Sequence, residues 1–127
     1  MTKRPAISQQ ITFIYVRNLE VSARFYGGTL GLELFLDQGS CQIFRAAGRG
    51  LLGICARQGK EPQTGSVILT LVTTEVAAWY HYLEEEGVKL PEPPVHNPDY
   101  QIEHFFIRDP DGYLVEIQRF LDPRWGE

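Results

Sequence analysis

The chain has 127 residues, of which 43% are hydrophobic and 22% charged, a size and composition that suit one globular domain with its own core. A formal net charge of -4, with no basic run beyond Lys3-Arg4, argues against nucleic acid as a partner. No segment approaches the roughly 20 apolar residues of a membrane span, and the opening MTKRPAISQQ lacks the apolar stretch of a secretory signal, so the expected location is the cytoplasm.

Residues 1–8 are polar and unpatterned and read as a loose tail. Ile11, Phe13 and Tyr15 then alternate with Thr12, Ile14 and Val16, a strand pattern that is apolar on both faces. Asn18 suits a helix cap, Leu19, Ala23, Tyr26 and Leu30 follow at helical spacing, and Gly31 marks the stop. Leu32–Leu36 reads as a strand closed by Asp37-Gln38-Gly39. Two more strands, Cys41–Ala46 and Leu51–Ala56, flank a Gly48-Arg49-Gly50 turn. The only cysteines, Cys41 and Cys55, lie in these strands without a CxxC pair and are expected to be free, behaving as small hydrophobes.

Residues 58–65, QGKEPQTG, form the one clear linker, after which the pattern restarts. Val67–Val72 is a β-branched strand, and Thr73 or Thr74 can cap a helix with Val76, Ala77, Trp79, Tyr80 and Leu83 on its apolar side. Gly87 ends that helix and Val88–Leu90 begins a strand. Residues 91–100, PEPPVHNPDY, are too rich in proline for regular structure. They read either as a lid over a cleft, with His96 and Tyr100 able to touch a ligand, or as a stiffened crossing. Gln101–Arg108 and Tyr113–Phe120 are strands around the turn Asp109-Pro110-Asp111-Gly112. The terminal LDPRWGE carries Trp125, expected to be exposed and able to dock on a partner subunit.

The halves correspond. Residues 15–34 laid over 71–90 place Val16 on Val72, Tyr26 on Tyr82, Gly31 on Gly87 and Leu34 on Leu90. The order strand, helix, glycine, then three strands occurs twice. The predicted fold is therefore α+β: two βαβββ modules, about 8–57 and about 66–121, in one domain over 8–122, with tails at 1–7 and 122–127. A four-stranded sheet with one helix on one face leaves the other face open, and two such faces, turned to each other or to a second chain, would enclose a cleft.

The segments FYGGTLGLEL (25–34) and RDPDGYLVEIQ (108–118) resemble the vicinal oxygen chelate superfamily, which includes glyoxalase I, the bleomycin-resistance proteins and the extradiol dioxygenases. The resemblance runs from about Gln10 to Phe120. It implies an incomplete barrel built from the two modules around a cleft. In many members it also implies one divalent metal held at four inward positions, on the first and last strands of each module. Carried onto this chain, those positions are Ile11, Gly53, Ile68 (or Val67 with a one-residue shift) and Glu116. Only Glu116 can ligate a metal, and one carboxylate does not hold zinc, nickel or iron. No cofactor is therefore expected, with a divalent metal as the alternative. The bleomycin-resistance branch, which also lacks metal ligands, sequesters its drug in a cleft at a dimer interface.

With Glu116 inward, strand parity adds Leu114 and Gln118 on its own strand and Ile11, Phe13 and Tyr15 on the first strand; the resemblance implies an inward position ten residues before Glu116, at Phe106, which brings His104 and Arg108 onto the same face. The candidate catalytic residues are Glu116 and His104; the candidate ligand-binding residues are Tyr15, Phe13, Phe106, Arg108 and Tyr100. Each has a plainer reading: Glu116 as an ion-pair partner of Arg108, His104 as a packed residue between aromatics, Tyr15 and Phe106 as core. His81, Arg45, Arg49 and Glu84-Glu85-Glu86 read as solvated surface. The expected function is binding of a small molecule in the cleft of a homodimer without the metal centre, by sequestration or by metal-independent catalysis through Glu116. The alternative is a metal-dependent lyase, isomerase or dioxygenase with a rearranged site of Glu116, His104 and a third ligand from His96 or Glu103. A non-catalytic sensor module is a third reading, and the sequence leaves open whether the protein is an enzyme.

Overall fold

Asn18 opens the first helix as its side chain predicts: Oδ1 accepts from the Val21 N–H at 3.0 Å, so the residue satisfies one donor that the first turn cannot. The structure, a computed structural model, describes residues 3–125; the outermost residues of both expected tails, Met1-Thr2 and Gly126-Glu127, lie outside the described residues. The chain divides into two compact units between Pro62 and Gln63, within the expected linker. The first unit runs β1 (Gln10–Tyr15), α1 (Leu19–Ala23), a π-helical segment (Arg24–Thr29), β2 (Glu33–Asp37), β3 (Cys41–Ala47) and β4 (Gly50–Cys55). The second runs β5 (Ile68–Val72), α2 (Val76–Glu85), β6 (Val95–Asn97), β7 (Ile102–Arg108) and β8 (Leu114–Phe120).

Both sheets have four strands in the same order. The first is β1-β4-β3-β2 and the second β5-β8-β7-β6, each with one parallel pair, β1 with β4 and β5 with β8, beside antiparallel neighbours. Neither sheet closes into a barrel. The repeat read from the sequence is thus a repeat of topology.

In the first unit, Tyr26, Leu30 and Ser22 are buried with Ile14, Val16, Phe44, Leu52 and Ile54, and the Tyr26 and Phe44 rings lie 6.5 Å apart. The helix expected over 19–30 widens at Arg24, where Leu30 N–H reaches back to Phe25 O, one residue farther than in an α-helix. Gly27 sits within this widened turn, and a Cβ there would lie 3.0 Å from the Phe44 ring, so helix and sheet approach closely at a residue with no side chain. In the second unit, α2 covers a core of Val76, Leu83, Phe105, Ile107, Val115 and Ile117, with Tyr80 edge-on to Phe105 at 5.3 Å. Each fully buried aliphatic here is worth about 1.5–3 kcal/mol against exposure. Gly87, at φ +80, ends α2 as expected.

Three expectations need correction. Neither Thr73 nor Thr74 caps α2: the N-cap is Glu75, which makes no side-chain capping bond, and the Thr73 hydroxyl accepts from Glu75 N–H at 3.0 Å in a turn just before the helix. Cys41 and Cys55 are not free: they form a disulfide between β3 and β4. The two residues are direct partners in the antiparallel ladder, with Cα atoms 4.1 Å apart, so both side chains leave the sheet on the same side. Nor is there a strand at Val88–Leu90. The edge strand is β6, at Val95–Asn97, inside the segment expected to be irregular. Pro91, Pro93 and Pro94 carry no N–H, so pairing with β7 begins at the first residue after them.

Candidate functional site

The turn at Asp109–Gly112 fixes the geometry of the site. The buried Asp109 carboxylate accepts from Asp111 N–H and Tyr113 N–H, both at 2.9 Å, and Gly112 N–H closes the turn on Asp109 O at 3.0 Å. Gly112 holds φ +98, which a side chain would disfavour. The hairpin this sets pairs His104 with Gln118, Phe106 with Glu116 and Arg108 with Leu114. The parallel β5–β8 pairing places Thr70 beside Glu116, and Val95 of β6 pairs with His104. Because strand side chains alternate, the face carrying Phe105, Ile107, Val115 and Ile117 belongs to the core, and the opposite face carries His104, Phe106, Arg108, Leu114, Glu116 and Gln118.

On that open face Glu116 is only 8% exposed, and its carboxylate is satisfied by three side chains. Thr70 Oγ1 donates to Oε1 at 2.8 Å. His104 Nδ1 lies 2.6 Å from Oε2; a carboxylate can only accept, so Nδ1 carries the proton and donates. The Gln118 amide nitrogen, turned toward the carboxylate, donates at 3.2 and 3.0 Å to the two oxygens. A buried carboxylate is tolerated at this position because of these partners. Arg108 is not among them, since its Nη1 donates to Gly112 O at 2.8 Å, so the ion pair considered for Glu116 and Arg108 does not form.

A groove of about 410 Å³ borders this face, lined by Pro91, Glu92, Pro93, Val95, His104, Phe106, Arg108 and Leu114. Its size and mainly apolar walls are those of a small-molecule site. The imidazole of His104 lies 5.2 Å from the Phe106 ring at an interplanar angle of 67°.

The structure therefore brings Glu116, His104, Phe106 and Arg108 to one face of the second unit. Phe13 and Tyr15 lie on β1 of the first unit. Tyr100 is 73% exposed in the turn after β6, with its N–H on Asn97 Oδ1 at 3.3 Å, and does not line the groove. Pro91, Glu92, Pro93 and Val95 supply the groove wall from the proline segment, in place of Tyr100 and His96. Thr70 was not among the candidates, although it lies two residues along the strand from Ile68 and so shares its face.

The metal positions can be tested residue by residue. Ile11, Gly53 and Ile68 offer no donor, leaving Glu116 alone. Gly53 is further constrained, because the Phe13 ring occupies the space that any Cβ at position 53 would need. The rearranged site fails on parity: His96 and Glu103 are partners across β6–β7, one step out of phase with His104, and so lie on the other face. Among the described residues no group of three or more His, Cys, Asp or Glu side chains is placed to hold a metal ion. The residues present do not fit a four-ligand metal centre.

A family model described as the Glyoxalase/Bleomycin resistance protein/Dioxygenase superfamily matches residues 8–117. Among solved structures the chain is similar to a glyoxalase/bleomycin resistance protein/dioxygenase from Nocardioides, at 21% identity and TM-score 0.75, covering 96% of this chain and 87% of that one. It is similar to Lactoylglutathione lyase from Agrobacterium tumefaciens, at 22% identity and TM-score 0.73, covering 96% and 98%. A glyoxalase-related enzyme from Fulvimarina pelagi shares 24% identity at TM-score 0.70, covering 88% and 87%. A search of curated proteins finds no match. Likenesses at these identities concern the fold.

Proposed function

The chain belongs to the Glyoxalase/Bleomycin resistance protein/Dioxygenase superfamily, and from that premise we propose that it binds a small, largely apolar molecule in the groove of its second module, without the metal centre of the enzymatic members. The observation that carries this reading is one face that combines apolar walls with a hydrogen-bonded polar pair, Glu116 with His104. Phe106, Leu114, Val95 and the prolines supply contact area, and the pair supplies direction. Sequestration needs no more than this, and metal-free chemistry would run through the same pair. The reading pairs the protein with a second copy of itself. Among the described residues no helix is long and apolar enough to cross a membrane.

A thermal-shift screen tests the reading. A panel of aromatic and aliphatic small molecules should include compounds that raise Tm, because a ligand at a hundred times its Kd adds about 2.7 kcal/mol of stability. Leu114→Asp should abolish those shifts, and a chelator should leave them unchanged. Stoichiometric binding of a divalent metal that is lost in Glu116→Gln would overturn it.

A further inference from the structure

Resting on the groove reading above, we infer that the groove takes an aryl carboxylic acid, with its ring on Phe106 and its carboxylate held by Arg108. Among the described residues Arg108 has no carboxylate within ion-pair distance, and its one hydrogen bond runs from Nη1 to Gly112 O at 2.8 Å. That bond ties the guanidinium to the Asp109–Gly112 turn, whose shape is fixed by the bonds onto Asp109. It uses only one of the five N–H donors a guanidinium carries. The others belong to a planar fork that matches both oxygens of a carboxylate.

An arginine on a polar surface would say nothing about a ligand, because water satisfies it. Arg108 instead lines a mainly apolar groove beside Phe106, Leu114, Val95 and Pro93. A ligand seated there displaces water from the guanidinium, and an uncharged one leaves its donors without an equal replacement. A carboxylate supplies that replacement, and attraction between the two charges strengthens as water leaves. The ring follows from the spacing. Phe106 and Arg108 share one face of β7, two residues or about 7 Å apart along the strand. A ring lying on Phe106 therefore brings a carboxylate attached to it within reach of the Arg108 side chain. Glu92 also lines the groove and makes no ion pair with Arg108, so its charge opposes the anion rather than neutralising its partner.

2-Naphthoate and its uncharged amide, 2-naphthamide, are the probes, titrated into the full-length chain by isothermal calorimetry at neutral pH, where the acid is ionised. The wild type should bind the acid at least about tenfold more tightly than the amide, as hydrogen bonds to a charged group require. This comparison needs no variant to fold. Arg108→Gln should remove the preference while the amide, which needs only the apolar walls, binds as before. Arg108→Lys should restore part of it, because an ammonium offers charge without the fork. Glu92→Gln should tighten the acid and leave the amide unchanged. A preference for the acid that survives Arg108→Gln overturns the inference, as does an Arg108→Gln chain that keeps its circular dichroism and loses both probes alike. Equal binding of acid and amide by the wild type overturns it and leaves the groove reading standing; no binding of either overturns both.

Discussion

Phe13 lies over Gly53, its partner in the parallel β1–β4 ladder, while keeping 52% of its surface exposed. A methyl group at position 53 would meet that ring, but a half-exposed ring can swing outward, so the cost is side-chain repacking rather than backbone movement. Gly53→Ala should therefore cost about 1–2 kcal/mol in urea denaturation. In a Phe13→Ala background the same substitution should cost close to nothing, since alanine is otherwise the better strand residue, and the double-mutant cycle isolates the contact. That position 53 cannot ligate a metal is legible from the residue type. That a ring fills the space depends on register and rotamer, which one sequence does not display. A second prediction concerns Asp122, whose carboxyl is pulled from its ordinary 3.8 to about 2, first by the Arg124 side-chain hydrogen bonds and then by the Arg124 backbone N–H. With the folded value below the unfolded one, the favourable interaction is complete above about pH 4 and is lost as pH falls toward 2. NMR titration of Asp122 should give a midpoint near 2, and Arg124→Ala should return it toward 3.8.

Elements were legible where their chemistry is local. The Asn18 cap, the glycines after both helices and the Asp109–Gly112 turn each act within a few residues, and each falls where the sequence places it. The disulfide was not legible, because it needs the β3–β4 register, set by contacts across 14 residues of chain. Edge strand β6 was masked for a related reason: its three residues pair only because β7 is already ordered beside them, and proline content hid them. Two element-scale predictions follow from these contacts. Replacing Cys41 and Cys55 by serine should destabilise the protein by about 2–4 kcal/mol, as loss of a native crosslink does, seen as a drop of roughly 3–6 °C in Tm for each kcal/mol. Asp109→Ala should cost about 1–3 kcal/mol, because two backbone N–H groups lose a buried acceptor. The same variant should broaden the His104 imidazole resonances, since the hairpin holds His104 opposite Gln118.

At the scale of the whole molecule, the duplicated order of elements made the fold readable, since the helix, glycine and strand signals occur twice in one sequence. What covers the exposed strand edges could not be read, because a single chain does not specify its neighbours. Strands β1 and β5 are each one of the two outer strands of their sheet, and along them Ile11, Phe13, Ile68 and Val72 remain exposed. Unpaired edges bearing large apolar side chains are what a protein covers, or else charges to keep other chains away, and these edges carry no charged residue. In the proposed homodimer a second copy of the chain would cover these edges. Sedimentation equilibrium at micromolar concentration should give a mass twice the 14.5 kDa of one chain. Combining Phe13→Asp with Ile68→Asp should return the mass to that of one chain while leaving the far-ultraviolet circular dichroism unchanged, because both side chains are exposed within the single chain. A wild-type mass of one chain would remove the homodimer from the proposed function and leave the groove of the second module to act in a monomer.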